Sequence, residues 1–210
     1  MRGVPATAVA PPIGDADSPT AHDGPGWPSR VVLNVGCGYR SSHGLPSSFH
    51  TSEWRELRLD INPEVNPDIL CSMTDMSPIA TASIDAIWSS HNLEHLHRHE
   101  VPVALGEFLR VLREDGFVLL TLPDLQAIAE LIVADALENE AYRSPSGPIT
   151  PLDMIYGHTP SIAHGNPHMA HKTGFTARTL REQLVKAGFA DVTTRRDGFA
   201  LWARAIKPAA

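Results

Sequence analysis

Val31-Val32-Leu33-Asn34-Val35-Gly36-Cys37-Gly38 is an apolar, β-branched run that stops on a G-x-G turn, and Leu59-Asp60 follows downstream. Such a run reads as a strand buried in a parallel sheet, its C-terminal end opening into a ligand crevice. An acidic group at the end of the next strand is placed to accept hydrogen bonds from a ribose. The stretch therefore predicts a nucleoside-binding crevice.

A nicotinamide or flavin dinucleotide needs the full G-x-G-x-x-G turn followed at once by a helix, because its pyrophosphate rests on unpaired helix N–H groups and on the helix dipole. Here Ser41 holds the third glycine position, and Tyr39 to Thr51 contains Gly44 and Pro46 with no apolar repeat. The phosphate-bearing helix is thus missing or very short. A G-x-x-x-x-G-K-[ST] loop, the cradle for nucleoside triphosphates, is absent as well. What remains suits a nucleoside without phosphates, of which S-adenosylmethionine is the common one. Asp60 would hold its ribose hydroxyls, and backbone groups near the glycine turn its amino-acid end.

From about Val31 to about Ala205 the chain resembles the class I S-adenosylmethionine-dependent methyltransferases. Leu33-Asn34-Val35-Gly36-Cys37-Gly38 matches their glycine motif, Asp60 in Leu59-Asp60-Ile61 their ribose acid, and Asp75 in Met73-Thr74-Asp75-Met76 their adenine-side acid. Ser90-His91-Asn92-Leu93-Glu94-His95-Leu96 is similar to the motif that follows the fourth strand in one large subgroup. A helix ending in Phe108-Leu109-Arg110-Val111-Leu112-Arg113-Glu114-Asp115-Gly116 and the strand Phe117 to Pro123 come next. The resemblance implies an α/β, Rossmann-like, doubly wound and mostly parallel seven-stranded sheet with a reversed last strand. It also implies that S-adenosyl-L-methionine is held by Asn34, Gly36, Cys37, Gly38, Asp60, Ile61, Asp75, Met76, Ser90 and His91. Asn34 stands where many relatives carry Asp or Glu, and could accept from the cofactor's amino group without offering charge. The truncated first helix is similar to that of a compact subgroup acting on small molecules.

Composition narrows the acceptor. With 210 residues, 42% of them hydrophobic and 20% charged, the chain can bury one full core, and its size fits a single domain. A net charge of −7 argues against a surface that tracks phosphates, so nucleic acid is disfavoured and a small-molecule acceptor is expected. No apolar window is long enough to cross a bilayer. Residues 1–28, rich in Pro, Ala, Gly and Asp and lacking a signal-peptide pattern, are expected to be a disordered leader. Residues 29–210 then form a single methyltransferase domain with a substrate-covering insertion at about 138–175. Cys37 and Cys71 form no C-x-x-C pair and read as reduced thiols in a cytoplasmic protein.

Strands are expected at Trp54 to Ile61, Asp68 to Cys71 and Ile84 to Ser90. Helices are expected from about Glu100 to Glu114, closed by Gly116 with Leu105, Phe108, Leu109 and Leu112 inward, and from about Leu125 to Ala136. A third runs after Thr176 to Gly188, with Leu180, Leu184 and Val185 inward. Two terminal strands, Phe189 to Arg195 and Phe199 to Ile206, flank Asp197-Gly198, a tight-turn signal.

Eleven histidines fall mostly in two clusters. His91-Asn92-Leu93-Glu94-His95 also satisfies H-x-x-E-H, the zinc pattern of the inverted metallopeptidases, which needs a helix through the motif and a third ligand. Here the motif follows directly on a strand, so a zinc-dependent hydrolase is the lesser reading, as is a non-catalytic methyltransferase-like partner protein, and no metal ligand is assigned. His95, His97 and His99 read as a solvated helix start, whereas His91, at a strand's C-terminal end, should face the crevice. The second cluster, His158, His164, His168, His171 and Lys172, lies in the long insertion expected to cover the substrate. His158, His164 and His168 have no recognised metal spacing. His171-Lys172-Thr173-Gly174-Phe175 resembles a segment that precedes the last helix in relatives, where a structural role through Phe175 and a catalytic one are equally open. If the acceptor must lose a proton, imidazole has the unperturbed pKa nearest neutrality, and the candidate bases are His171, His168 and His91, in that order.

Overall fold

The computed structural model describes residues 29–39 and 44–209. The leader expected at 1–28, and Ser41 at the third glycine position, lie outside them. Among the described residues nine strands form in chain order: β1 (Arg30–Val35), β2 (Trp54–Asp60), β3 (Ile69–Leu70), β4 (Ile84–Ser90), β5 (Leu112–Pro123), β6 (Tyr142–Ser144), β7 (Gly147–Ile149), β8 (Ala190–Asp197) and β9 (Ala200–Ile206). Five α-helices accompany them: α1 (Val101–Val111), α2 (Leu125–Val133), α3 (Pro151–Tyr156), α4 (Thr159–Ala163) and α5 (Ala177–Ala187).

Seven strands make one sheet in the order β3-β2-β1-β4-β5-β9-β8. The pairs β1 with β2, β1 with β4, β2 with β3 and β4 with β5 are parallel, while β9 runs antiparallel to both β5 and β8. The sheet is thus doubly wound with its last strand reversed, as expected. Chain order reverses on either side of β1, and in such sheets the crevice beyond the carboxyl ends of the strands at that point is where ligands bind.

Alternation within the strands sorts the core. Leu33, Val35, Ile87, Leu120 and Leu201 join the buried cluster that includes Phe108 of α1 and Leu180 and Leu184 of α5. Val32, Ala86 and Trp88 pack on the other face with Phe49, Trp54, Phe117 and Trp202. Phe49 comes from the short turn Ser47–Phe49. Phe108 is fully buried. Phe108→Ala should therefore cost about 3–5 kcal/mol, read as a lower urea midpoint at unchanged slope.

Helix ends differ from the sequence reading for local reasons. The first helix stops at Val111, because Leu112 turns extended to pair with Ile84, and the N–H groups of Ala82 and Ser83 donate to the carbonyls of Arg110 and Val111. Gly116 is not its cap but lies within β5, where a Cβ would stand 2.9 Å from the Arg113 carbonyl oxygen. The second helix ends at Val133, and Asp135 at φ 57° breaks the path to Ala136. In α5 Thr176 caps the start and Gly188, at φ 107°, closes the end. Val185, expected to point inward, is 49% exposed. The β8–β9 turn is centred on Gly198 and Phe199, one residue later than Asp197-Gly198 suggested, since Asp197 pairs with Ala200.

The segment at 138–175 is regular where the sequence showed no pattern. It holds the β6–β7 hairpin, α3, α4 and a turn at Pro167–Met169. Its inner side chains Ile149 and Met154 pack on Ile128 of α2. Gly157 at φ 98° pairs with Ala170, and a Cβ there would meet the Met169 carbonyl oxygen at 1.9 Å.

Candidate active site

Two adjoining cavities open at the carboxyl ends of the strands. One, about 440 Å³, is bounded by Gly36, Gly38, Asp60, Ile61, Ser90 and His91, with Ser72, Met73 and Thr74 along one wall. The other, about 540 Å³, lies under the insertion and the β8–β9 turn, among Pro123, Tyr142, Ile149, Met154, His171 and Phe199. His91, His95, Ser161 and Met169 border both.

The first cavity is shaped by backbone that few side chains would tolerate. Gly36 and Gly38 take φ values of 65° and 58°, and a Cβ on Gly36 would lie 1.8 Å from Asn92 Oδ1. Asn92 Nδ2 donates to the carbonyls of Val35 (2.9 Å) and Ser90 (2.8 Å), tying the glycine turn to the end of β4. The Gly38 N–H donates to Asp60 Oδ2 at 2.9 Å, and the Asn62 N–H donates to Oδ1 at 2.9 Å. Two fixed donors thus orient the carboxylate while leaving each oxygen a further lone pair for a ligand hydroxyl. Ile61 beside it is 52% exposed, an apolar platform at the rim.

Arg58 is the residue that sequence reasoning missed. Its side chain is buried within β2, and its guanidinium donates to the carbonyls of Gly38 and Asn66, with Val65 at 3.5 Å. A planar cation with several donors can hold the glycine turn and the loop after β2 together. Nothing in the local pattern marks it, because a charged residue inside a strand ordinarily signals an exposed face.

Four residues expected to hold a cofactor stand elsewhere. Asn34 is buried on the face of Val32, and its Nδ2 donates to Glu56 Oε1 at 2.8 Å, away from the cavity. Cys37 turns beneath the loop, where burial pushes its thiol up to about 11. Asp75 is exposed, because a tight turn in which its N–H donates to the Ser72 carbonyl carries it outward. Met76 is fully buried in the core, with its N–H donating to Glu107 Oε2 at 2.6 Å. Ser72, Met73 and Thr74 take the wall that Asp75 and Met76 were expected to form.

Where the cavities meet, side chains from three segments converge. His91 sits at φ 55°, with its N–H donating to the Thr121 carbonyl, and its Nδ1 lies 3.2 Å from Glu94 Oε1. Glu94 is buried, and neither carboxylate oxygen has a partner in hydrogen-bonding geometry. Burial alone would push the Glu94 carboxyl up, but contact with His91 and the charges of His91, His95 and His171 hold it below its ordinary value. Burial would likewise lower His91, and Glu94 more than reverses this, raising it. For His171 burial prevails over the attraction of Glu94 and lowers it, which favours the neutral ring.

The HKTGF match has a structural role. The N–H groups of Lys172 and Thr173 donate to the Glu94 carbonyl, and Phe175 is buried in the core, so the segment is docked while His171 faces the second cavity. His168 is exposed at the rim of the first cavity, not beside the second, which removes its reading as a base there. His97 and His99 are exposed as expected, but His95 is half-buried with its ring centroid 4.9 Å from that of His171. No α-helix runs through His91 to His95; only the short turn Leu93–His95 does, so the paired histidines of an inverted metallopeptidase are not formed.

Residues 33–120 match the family model described as a methyltransferase domain. No curated protein is significantly similar in sequence. Among solved structures, a possible exported protein from Bordetella parapertussis is 17% identical at a TM-score of 0.55, covering 87% of this chain and 63% of its own. The Burkholderia thailandensis 1,6-didemethyltoxoflavin-N1-methyltransferase, solved with 1,6-didemethyltoxoflavin and S-adenosylhomocysteine, is 17% identical at 0.52, covering 85% of this chain and 71% of its own. A SAM dependent methyltransferase from Archaeoglobus fulgidus is 15% identical at 0.56, covering 85% and 86%. Residues 33–120 thus match a methyltransferase domain, and the sheet order, with a reversed last strand between β5 and β8, gives the chain the fold of the methyltransferase structures it is similar to.

Proposed function

We propose that the chain transfers a methyl group from S-adenosylmethionine to a small molecule seated in the second cavity. The observation that carries this reading is the junction itself: a nucleoside-sized crevice with an oriented Asp60 shares His91 and His95 with a separate cavity of about 540 Å³. That volume lies in the range of small-molecule sites, and its lining supplies apolar contacts with a few polar groups. The cofactor supplies a methyl group on a cationic sulfur, whose displacement by a neutral nucleophile spreads positive charge.

The protein's part is mainly positioning. Asp60 accepts from the ribose hydroxyls, Gly36 and Gly38 let backbone approach the amino-acid end, and Ile61 with Met73 covers the adenine. The insertion walls one side of the second cavity, so that donor and acceptor meet aligned. An acceptor that must lose a proton finds the neutral His171 imidazole within the same cavity. The likeness to the Burkholderia enzyme, solved with the small molecule 1,6-didemethyltoxoflavin, supports a small acceptor. A net charge of −7 supports the exclusion of nucleic acid. No helix among the described residues is long and apolar enough to cross a membrane, and the two free cysteines support a cytoplasmic setting.

Labelled methyl transfer tests the reading. S-adenosylmethionine carrying an isotopic methyl group, incubated with the protein and a cell extract, should deliver label to the low-molecular-weight fraction. Label found only in precipitated protein or nucleic acid overturns the acceptor class. Calorimetry that shows no heat with S-adenosylhomocysteine overturns the cofactor.

A further inference from the structure

Glu94, His95 and His171 each present one ligand atom, and the three atoms lie within 4.8 Å of one another. A tetrahedral ion with ligands about 2.1 Å away sets such atoms about 3.4 Å apart, so small side-chain rotations close the site. His95 Nδ1 lies 3.1 Å from the Ala170 carbonyl and His171 Nδ1 lies 2.9 Å from the Met154 carbonyl. A carbonyl can only accept, so in both rings Nδ1 carries the proton and Nε2 keeps a free lone pair. Metal-binding histidines are held in this way, one nitrogen donating to a fixed oxygen and the other facing the ion.

Glu94 is the second, independent sign. It is 1% exposed, Oε2 has no hydrogen-bonding partner, and Oε1 has only His91 Nδ1 near it, outside good hydrogen-bonding geometry. A buried anion left so is costly unless something positive meets it. Its neighbours supply imidazoles rather than a fixed cation, and His91, 3.2 Å from Oε1, braces one side of the carboxylate.

We propose that Glu94, His95 and His171 bind one divalent transition-metal ion, with open positions facing the junction of the two cavities. Two imidazoles and one carboxylate suit zinc, iron(II) or manganese(II) better than magnesium or calcium. His95 borders both cavities and His171 the second, so the open positions face the acceptor. The ion would hold an oxygen of that acceptor, a hydroxyl, keto or carboxylate group, beside the methyl donor, and His171, its Nε2 then coordinated, would act as a ligand in place of the base role it has in the metal-free site. The role in orienting the acceptor rests on the methyltransferase reading, whereas the binding of the ion does not.

The site differs from the H-x-x-E-H zinc pattern in its third member. His171 arrives from the insertion, 76 positions beyond His95, docked by the hydrogen bonds of Lys172 and Thr173 to the Glu94 carbonyl. Ion and insertion would therefore stabilise each other.

Full-length protein without a histidine tag, stripped with chelator, should bind one equivalent of zinc(II) or manganese(II) by calorimetry. His171→Ala should weaken this at least a hundredfold, while His164→Ala, an exposed position whose Nδ1 contacts the Pro160 carbonyl, should leave it unchanged. The cobalt(II)-loaded wild type should show the visible absorption of an ion with two imidazoles and a carboxylate, a readout that needs no variant to fold. Absence of stoichiometric binding, equal affinity in His171→Ala, or a cobalt spectrum of the free hexaaqua ion would overturn the site. Binding of S-adenosylhomocysteine measured alongside separates the two readings: affinity for it without metal sinks only the ion, and metal without affinity for it sinks only the methyl transfer.

Discussion

Asp60→Ala should lower the affinity for S-adenosylhomocysteine by two to four orders of magnitude while leaving the fold intact. The carboxylate stands at the end of β2 with Oδ1 and Oδ2 each already receiving one backbone N–H, from Asn62 and Gly38. Those donors fix its plane toward the cavity, so a ribose diol meets a preset acceptor pair. A hydrogen bond to a charged group contributes about 1.5–3 kcal/mol, so two together account for about 3–6 kcal/mol, and each 1.4 kcal/mol is about tenfold. Asp60→Asn keeps the size and one acceptor oxygen but turns the other into a donor, and should fall between wild type and the alanine variant. Calorimetry gives the affinities and a urea midpoint gives the stability. The midpoint should move little, because the orphaned N–H groups border an open cavity and recover water. An alanine variant that binds within threefold of wild type would mean that the sugar sits elsewhere.

The parts of this site that could be read in the sequence are those in which one residue type answers a backbone demand. Gly36 and Gly38 occupy left-handed φ where a side chain would be strained, and the apolar run before them can only be a buried strand. Asp60 follows from the same logic one strand later, and Thr176 with Gly188 announce the start and end of α5 by cap chemistry. Where a residue's direction depends on a turn, the pattern gave no purchase. Ser72 to Asp75 folds tightly enough to send Asp75 to solvent and Met76 to the core, moving the cavity wall a few residues upstream. Cys37 illustrates the same limit, since the middle residue of the G-x-G turn points beneath the loop rather than into the crevice. The junction of the cavities was half visible. His91, Glu94 and His95 form a recognisable string, but their meaning changes when His171 closes on them from the insertion, and no local periodicity reports that contact. The regularity of the insertion was hidden for a related reason: its helices are five or six residues long, too short to show a period, and α3 is held by the Thr150–Asp153 capping box and by packing of Met154 on Ile128.

Arg58 was the least legible residue, and its removal should show most widely. Arg58→Met keeps the length and apolar body of the side chain but withdraws the donors from the carbonyls of Gly38 and Asn66. A buried acceptor left without a donor costs about 1–3 kcal/mol, and since the Gly38 and Asn66 carbonyls are only partly buried and recover some water, the loss of both should destabilise the protein by about 1–3 kcal/mol in all. For a domain of this size that corresponds to a fall in melting temperature of about 2–12 °C. Affinity for S-adenosylhomocysteine should fall as well, by about tenfold or more, because the Gly38 carbonyl is released while its N–H is what orients Asp60. Arg58→Lys should recover only part of either quantity: one ammonium has three donors but no planar fork to span two carbonyls on separate loops. The pairing of effects is the test, since Asp60→Ala moves affinity alone and a simple core defect such as Phe108→Ala moves stability alone. If Arg58→Met leaves affinity unchanged while the melting temperature drops, the guanidinium only supports the fold. If both stay within error of wild type, water replaces it and the glycine turn holds its shape without a cation.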